Sequence, residues 1–435
     1  MDTGPAIGAA PTARAGKPWA AGPERGIGLY VHIPFCETKC PYCDFNTYAG
    51  IEALIPGYME ALEAEVRRWG ALLGSTLVRS VFFGGGTPSY VPARRIAGVA
   101  AAYREAFRIE QGAEITLEAN PGDVTEAKLA AWLGAGVNRL SMGVQSFDDG
   151  LLKLLGRRHD AAQAARAART ARRAGFSNFS LDLMFGLPRQ SLEQWTNSVA
   201  RAVDLSPRHL SLYGLQLEHG TPLEAAVRSG EVPQPDDDLA ADMFTAAEEV
   251  LAGAGYRHYE ISNWAKPGCE SRHNLIYWRC EPYLGVGPGA HSSLWGLRFA
   301  NMKSPRGYVQ AVNKGRSPTG AMDSGAITWM REHGPVESIE ETSEATAMAE
   351  TMMMGLRLDE GVTESAFSSR FGRGLADVFG DVTTELCDDG LLDQSHGGIR
   401  LTARGRLLGN QAFRRFIEAA QSFGPYTGHP AAAAP

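Results

Sequence analysis

The stretch that decides the fold is Tyr30-Val31-His32-Ile33-Pro34-Phe35-Cys36-Glu37-Thr38-Lys39-Cys40-Pro41-Tyr42-Cys43, which places three cysteines within eight positions. Three thiolates are one fewer than the four that fill an ordinary structural zinc site or iron–sulfur cluster. A cubane [4Fe–4S] cluster held by only three thiolates keeps one iron open, and that iron can chelate a small molecule through an amine and a carboxylate. The spacing therefore predicts a cluster that binds a ligand directly.

Three other interpretations of these cysteines are possible, but the sequence favours each of them less. A structural zinc site would take its fourth ligand from Cys269, Cys280 or His32, but none of these belongs to a second close-spaced pair. Six cysteines in 435 residues are too few for a disulfide framework. The spacing would also fit one face of a helix, but Pro34 and Pro41 favour a loop. The cluster remains the interpretation that the pattern favours.

Composition limits the possible partners and compartment. The formal net charge is −7, so no overall attraction to nucleic acid or to an anionic membrane is expected. No run of about eighteen apolar residues is present, which predicts no transmembrane segment. Free thiols and an oxygen-sensitive cluster predict a reducing, cytoplasmic setting. The Ala-, Gly- and Pro-rich ends, residues 1–26 and 422–435, are predicted to be disordered tails.

Between these tails, short β-rich runs alternate with amphipathic helical patterns. The predicted strands are Gly28–Ile33, Ser80–Phe83, Glu114–Ala119, Arg139–Val144, Phe179–Met184 and His209–Tyr213. The predicted helices between them are Pro56–Leu73, Pro92–Ala106, Thr125–Ala135, Ala161–Ala174 and Ser191–Asp204. Six such alternations predict an α/β fold with a parallel sheet, closed into a partial (β/α)6 barrel. We assign residues 27–330 to this domain. The pattern is less regular after Tyr213, and we predict a break in regular structure around Pro318–Pro335.

Polar motifs follow the predicted strands where ligands bind in such folds. Gly84-Gly85-Gly86-Thr87-Pro88 comes directly after the second strand, and its missing side chains would let the backbone approach a ligand closely. Glu118, Gln145 and Asp182 lie at or near the ends of the next three strands, and Arg157 follows Gln145. The carboxyl ends of parallel strands meet at one edge, which predicts a shared ligand site there.

Residues 340–421 are predicted to form a separate helical domain that resembles a winged helix, with a small hairpin before its last helix. A winged helix normally suggests DNA binding. Residues 361–421, however, carry seven Arg, no Lys and eight Asp or Glu, so they are a poor match for phosphates. We expect a structural or protein-interaction domain.

Taken together, these motifs resemble a known family. The C-x3-C-x2-C spacing is similar to that of the radical SAM superfamily, whose open iron binds S-adenosylmethionine (SAM) and generates a 5′-deoxyadenosyl radical. The cysteine motif, Gly84–Pro88, Ser141–Phe147 and Asp182–Pro188 together resemble the oxygen-independent coproporphyrinogen III oxidase group. The resemblance covers most of residues 28–300.

Two features separate this chain from the oxidases of that group. The oxidases carry a further cysteine two positions after the third cluster ligand, where this chain has Phe45. The run His273-Asn274-Leu275-Ile276-Tyr277-Trp278 resembles the H-N-x-x-Y-W motif of HemW-type haem chaperones. This resemblance implies haem binding and delivery of haem to acceptor proteins such as respiratory-chain enzymes. The alternatives are the oxidase activity, which converts two propionates of coproporphyrinogen III to vinyl groups, and radical chemistry on an unrelated substrate.

The resemblance also implies a role for each matching residue. Cys36, Cys40 and Cys43 would bind the [4Fe–4S] cluster. The residues that would face the cluster-bound SAM are Tyr30, Tyr42, Gly85, Gly86, Thr87 and Glu118. Gln145, Arg157 and Asp182 match positions that contact a second SAM in the oxidase. His273 would be the axial ligand of haem, with Tyr277 and Trp278 covering a face of the porphyrin.

Overall fold

The computed structural model describes residues 19–395 and 397–424. The strands are β1 (Ile27–Ile33), β2 (Leu77–Gly85), β3 (Arg108–Ala119), β4 (Arg139–Gln145), β5 (Asn178–Phe185), β6 (His209–Gly214), β7 (Arg257–Glu260), β8 (Asn263–Ala265), β9 (Tyr283–Val286), β10 (His291–Leu294), β11 (Leu297–Asn301), β12 (Val336–Glu341), β13 (Val362–Thr363), β14 (Leu392–Ser395) and β15 (Gly398–Leu401).

The helices lie on the outer surface of the sheet or in the C-terminal region. They are α1 (Ile55–Leu73), α2 (Ala93–Ala106), α3 (Glu126–Gly134), α4 (Asp149–Leu154), α5 (Ala161–Arg173), α6 (Leu192–Asp204), α7 (Pro222–Arg228), α8 (Asp237–Gly253), α9 (Arg272–Trp278), α10 (Pro305–Lys314), α11 (Gly325–His333), α12 (Glu344–Gly355), α13 (Glu364–Phe371), α14 (Leu375–Asp388), α15 (Ala403–Leu407) and α16 (Gly409–Ala420).

The six predicted strands and their parallel order are confirmed. Strands β1 to β6 pair in chain order, each parallel to the next, with a helix in every crossover. The whole sheet is larger than predicted, because it has twelve strands in the order β12-β11-β10-β9-β1-β2-β3-β4-β5-β6-β8-β7. Strand β9 is parallel to β1, and the remaining added strands are antiparallel to their neighbours.

Alternation along the strands separates an apolar face from a polar one. In β2, Val81 and Phe83 belong to the main apolar core, to which α1 and α2 also contribute. Ser80 precedes these two residues in the strand. Its side chain points to the opposite face of the sheet, where it hydrogen-bonds to His273. Successive side chains of a strand point to opposite faces, so the polar residues of β2 to β6 line the inside of the barrel.

The break that we predicted around Pro318–Pro335 is wrong. Helix α11 lies within the predicted break at Pro318–Pro335, and β12 joins the large sheet by pairing with β11. The barrel sheet therefore extends to Glu341, beyond the predicted boundary at residue 330. These strands are only three to six residues long, too short for a clear alternating pattern.

The C-terminal region has an apolar core of its own, formed by α12, α13, α14 and α16 around the small sheet β13-β15-β14. The predicted last helix is divided into α15 and α16 at Leu408, whose φ/ψ angles are not helical. Trp19 is 7% exposed and belongs to this core, so the predicted tail at residues 1–26 is wrong for residues 19–26. Residues 1–18 and 425–435 of the two predicted tails lie outside the described residues.

Within the part of the chain that the structure describes, no helix is long and apolar enough to cross a membrane.

Candidate metal centre and ligand site

The three cysteines lie on one closed loop, residues 34–48, that leaves the carboxyl end of β1. The Tyr48 amide donates to the Pro34 carbonyl at 2.7 Å, and the Cys36 amide donates to the Tyr48 carbonyl at 2.9 Å. All three thiols are free and half-buried. We call residues 34–48 the cysteine loop.

Backbone hydrogen bonds attach the cysteine loop to the turn after β2. The Gly86 amide donates to Ile33 and the Thr87 amide to Phe35, each at 2.8 Å. A Cβ atom added to Gly86 would lie 2.8 Å from the Phe35 carbonyl oxygen, so only glycine permits this approach. The two turns consequently form one unit at the carboxyl edge of the sheet.

Two of the cysteine sulfurs also receive side-chain hydrogen bonds. The Thr87 hydroxyl donates to Cys36 Sγ and the Arg157 guanidinium donates to Cys40 Sγ, each at 3.4 Å. Burial raises the pKa of the Cys36 and Cys43 thiols in the protein alone. Donors and a positive charge beside the sulfurs favour their thiolate form and tune the potential of a cluster bound there.

The arrangement fits a cluster better than a single metal ion. Among the described residues, no three His, Cys, Asp or Glu side chains surround a point at which one ion could bind. A cubane cluster needs no such point, because each thiolate binds a different iron. Three thiols on one short loop, two of them beside hydrogen-bond donors, fit a [4Fe–4S] cluster, which Cys36, Cys40 and Cys43 would bind.

The structure shows a packing constraint on Gly85 and Gly84. The φ of Gly85 is +111°, and an added Cβ atom would lie 2.5 Å from the imidazole Cε1 of His32. A Cβ atom at Gly84 would lie 2.8 Å from the ring of Phe82. Packing around β1 and β2 therefore requires glycine at both positions, and the approach of a ligand to this run stays a prediction.

Two carboxyl groups lie inside the barrel near this edge. Glu118 accepts a hydrogen bond from the Gly85 amide at 3.1 Å, and Asp182 accepts from Ser141 and Ser180, each at 2.9 Å. Burial, and then the charge of Asp182, raise the pKa of Glu118 to about 8. Burial also raises the pKa of Asp182. A cation placed between them, such as an amine or a sulfonium, would favour their ionised forms.

Gln145 and Arg157 carry polar atoms that have no described partner. Gln145 has a left-handed backbone (φ 65°), and its Oε1 is buried without a hydrogen bond. Arg157 donates to the Gly143 carbonyl at 2.8 Å, but its Nε is likewise unpaired. An unpaired buried polar atom costs about 1–3 kcal/mol, so both atoms are suited to a polar ligand. Backbone strain of this kind is common at functional sites.

The two predicted tyrosines lie on β1 and on the cysteine loop that follows it. Tyr42, on the cysteine loop, packs against a small apolar cluster that contains Leu155 and Met184. Tyr30, on β1, has its pKa raised by burial and by the charge of Glu118. The contacts thus bring together the predicted residues Tyr30, Tyr42, Gly85, Gly86, Thr87, Glu118, Gln145, Arg157 and Asp182 around the cysteine loop.

Sequence reasoning missed the residues that support this set. Ser141 and Ser180 hold Asp182, and His32 hydrogen-bonds to Tyr30 at 3.0 Å. The signal for the serines was available, because they occur on the inward face of β4 and β5 in a sheet whose outward face is apolar.

His273 lies away from this site. It is 1% exposed and occupies the floor of the barrel, which we define as the region near Gly28, Ser80 and Glu114. Its Nδ1 is 2.8 Å from the Ser80 hydroxyl, and its Nε2 is 2.9 Å from the Tyr277 hydroxyl. Burial, and then the charge of Arg139, lower the pKa of His273 to about 3. In this conformation both ring nitrogens are hydrogen-bonded within the protein, and ligation of haem iron by His273 stays a prediction.

Tyr277 and Trp278 are packed within the protein on the same helix. The Tyr277 ring meets that of Tyr283 edge-on at 4.8 Å, and Trp278 is 5% exposed beneath the Arg357 guanidinium. Arg370 of the C-terminal domain donates to the carbonyls of Arg279 and Cys280, just after α9, at 3.1 and 3.0 Å. Helix α9 is therefore packed between the barrel floor and the C-terminal domain.

Comparison with known proteins agrees with this geometry. The Radical SAM superfamily profile matches residues 30–202, and the HemN C-terminal domain profile matches residues 342–408. The haem chaperone HemW of Bacillus subtilis is 35% identical over 390 residues, which cover 89% of this chain and 98% of the relative. The mitochondrial radical S-adenosyl methionine domain-containing protein 1 of Mus musculus is 40% identical over 388 residues, covering 87% of this chain and 84% of the relative.

Among solved structures, the coproporphyrinogen III oxidase HemN of Escherichia coli, a radical SAM enzyme, aligns with a TM-score of 0.75 at 26% identity. The alignment covers 93% of this chain and 92% of that one. The fold and the cysteine loop thus define a radical SAM protein. The chain belongs to the HemW family.

Replacing any one of Cys36, Cys40 and Cys43 with alanine should abolish the cluster, since the described structure offers no spare thiol on this loop. Iron analysis after anaerobic reconstitution should give about four irons per wild-type chain, as expected for one cubane site. Cys269→Ala is the matched control and should retain the iron. Loss of iron in the control, or its retention in a loop variant, would show that the ligand set is different.

Glu118 should make the ligand-free protein less stable as pH rises. The folded state keeps this proton up to about pH 8, whereas a carboxyl with the ordinary pKa of 4.5 releases it in the unfolded chain. The folded state then binds more protons, and the free energy of unfolding falls between these two values. Urea unfolding of Glu118→Gln should show a weaker decline over this range than wild type. The exposed Glu193→Gln should behave like wild type, and equal declines in all three proteins would contradict the assignment.

Proposed function

We propose that this protein is a radical SAM haem chaperone, which binds a [4Fe–4S] cluster, SAM and haem and delivers haem to acceptor proteins in the cytoplasm. The observation that carries the proposal is its 35% identity to a haem chaperone along 98% of that relative. The cysteine loop provides the proposed ligands of the cluster, and the polar residues at the carboxyl edge of the barrel provide the proposed contacts to SAM. The C-terminal domain, with its balanced charge, is a surface for an acceptor protein rather than for nucleic acid.

The oxidase is the second candidate, because the HemN structure aligns over nearly the whole chain. Phe45 weighs against it. This side chain is 48% exposed in the cysteine loop, at the position where the oxidases carry a further cysteine. A phenyl ring cannot act as a thiol, so any chemistry that depends on that cysteine is lost.

One assay separates the two functions. Under anaerobic conditions, with a reductant, SAM and coproporphyrinogen III, the chaperone should leave the porphyrinogen unconverted. The same preparation, loaded with haem, should transfer haem to an apo-haemoprotein such as apomyoglobin, followed by its visible spectrum. Conversion to protoporphyrinogen would establish the oxidase, and failure of both reactions would contradict the chaperone.

The haem ligand is the part of the proposal that demands a change of conformation. We retain His273 as the ligand, which requires that α9 leave the barrel floor and that the imidazole exchange Ser80 and Tyr277 for iron. The iron–imidazole bond would replace two neutral hydrogen bonds, each worth about 1 kcal/mol, while the burial of Ile276 and Trp278 on the same helix opposes the movement. The neutral form of His273, maintained by its low pKa, is the form that ligates metals.

Two substitutions on α9 should then change the affinity for haem in opposite directions. His273→Ala should weaken haem binding and change the Soret band, because methyl cannot ligate iron. Tyr277→Phe should strengthen binding severalfold, because it frees Nε2 from a hydrogen bond worth about 1 kcal/mol. Haem titrations of both variants, with the exposed His219→Ala as control, measure this. Identical titrations for all four proteins would place the haem ligand elsewhere.

A further inference from the structure

The glycine-rich run Gly285-Val286-Gly287-Pro288-Gly289-Ala290-His291 has no role in the site described so far. It connects β9 to β10 beside the cysteine loop, and we call residues 285–291 the glycine loop. Gly287 and Gly289 have positive φ angles of 97° and 74°. Gly289 lies against Asn46 of the cysteine loop, and Gly287 lies against His32 at the end of β1.

Hydrogen bonds from buried side chains hold the glycine loop in place and let it support the neighbouring cysteine loop. Glu65 of α1 is fully buried and accepts hydrogen bonds from the Gly287 amide (2.8 Å), Asn301 Nδ2 (2.7 Å) and the Tyr308 hydroxyl (2.6 Å). Asn301 also donates to the Gly287 carbonyl at 2.9 Å. Elements α1, β11 and α10 are thereby joined to this loop by a satisfied polar network, which gives it a single conformation.

Asn46 connects this support to the cysteine loop. Its Nδ2 donates to the Pro288 carbonyl at 2.9 Å and to the Lys303 carbonyl at 3.1 Å, while its Oδ1 accepts from the Tyr48 hydroxyl at 2.9 Å. The Asn46 carbonyl oxygen is 3.0 Å from His32 Nε2, which must carry the proton because a carbonyl only accepts. Every polar atom of the Asn46 side chain is used, only three residues after Cys43.

The glycine loop packs so closely against Asn46 and His32 that Gly287 and Gly289 must be glycine. A Cβ atom at Gly289 would lie 2.6 Å from Asn46 Nδ2, and one at Gly287 would lie 2.7 Å from the His32 carbonyl oxygen. We infer that Asn46 is a positioning residue for the cluster, which holds the Cys43 side of the cysteine loop against the glycine loop. The other side of the cysteine loop is held by Gly86 and Thr87, so the two supports fix both ends of the three-cysteine segment.

The inference depends on the proposed cluster but not on haem. Asn46→Asp is the sharpest test, because it keeps the size of the side chain and removes both N–H donors. We expect the reconstituted variant to lose iron to a chelator about tenfold faster than wild type, as for one to two net hydrogen bonds. We also expect the electron paramagnetic resonance (EPR) spectrum of the reduced cluster to change shape, which a general loss of stability would not cause.

Two further variants complete the test. Gly289→Ala displaces Asn46 from the other side, so it should reproduce both effects even where Asn46→Asp fails to fold. Asn313→Asp, at an exposed position of the neighbouring α10, should match wild type. Wild-type iron loss and spectra in both Asn46→Asp and Gly289→Ala would overturn the inference. A wild-type protein that holds no cluster would overturn the proposed function as well, and this is a separate result.

Discussion

The close contact between the first two β–α turns is the constraint on which the rest of the site depends. The amides of Gly86 and Thr87 donate to the carbonyls of Ile33 and Phe35, so the cysteine loop continues the parallel pairing of β1 and β2 beyond the strands. This contact places Thr87 beside the Cys36 sulfur. It also orients the Gly85 amide towards Glu118, and so connects the thiols to the polar interior of the barrel.

The polar interior divides into two parts with different physical tasks. At the carboxyl edge, the carboxyls of Glu118 and Asp182 have raised pKa values, and Gln145 retains an unpaired oxygen, so this part is incompletely satisfied without a ligand. At the floor, both nitrogens of His273 are hydrogen-bonded, so this part is satisfied within the protein. Under the proposed function, the edge would accept SAM as it stands, whereas the floor would have to open before His273 could bind haem.

The sequence was sufficient for the six-stranded barrel because each of those strands and helices has a strong periodic pattern, and each predicted strand lies within an observed one. The spacing of Cys36, Cys40 and Cys43 predicts the cluster site, and the structure adds that the three thiols lie on one half-buried loop. The sequence was insufficient for the short strands β7 to β12, which are formed by pairing rather than by local preference. It did not show that His273 is buried, because a motif does not reveal which neighbours pack around it, and Ser80 is 193 residues distant in the chain.

The central claim is that three thiolates leave one iron open to SAM at the carboxyl edge of the barrel. The most direct measurement is the EPR spectrum of the reduced, reconstituted protein before and after SAM is added. The account predicts that SAM changes the g-values of the cluster signal, because its amine and carboxylate become ligands of the open iron. An identical spectrum with and without saturating SAM would contradict it.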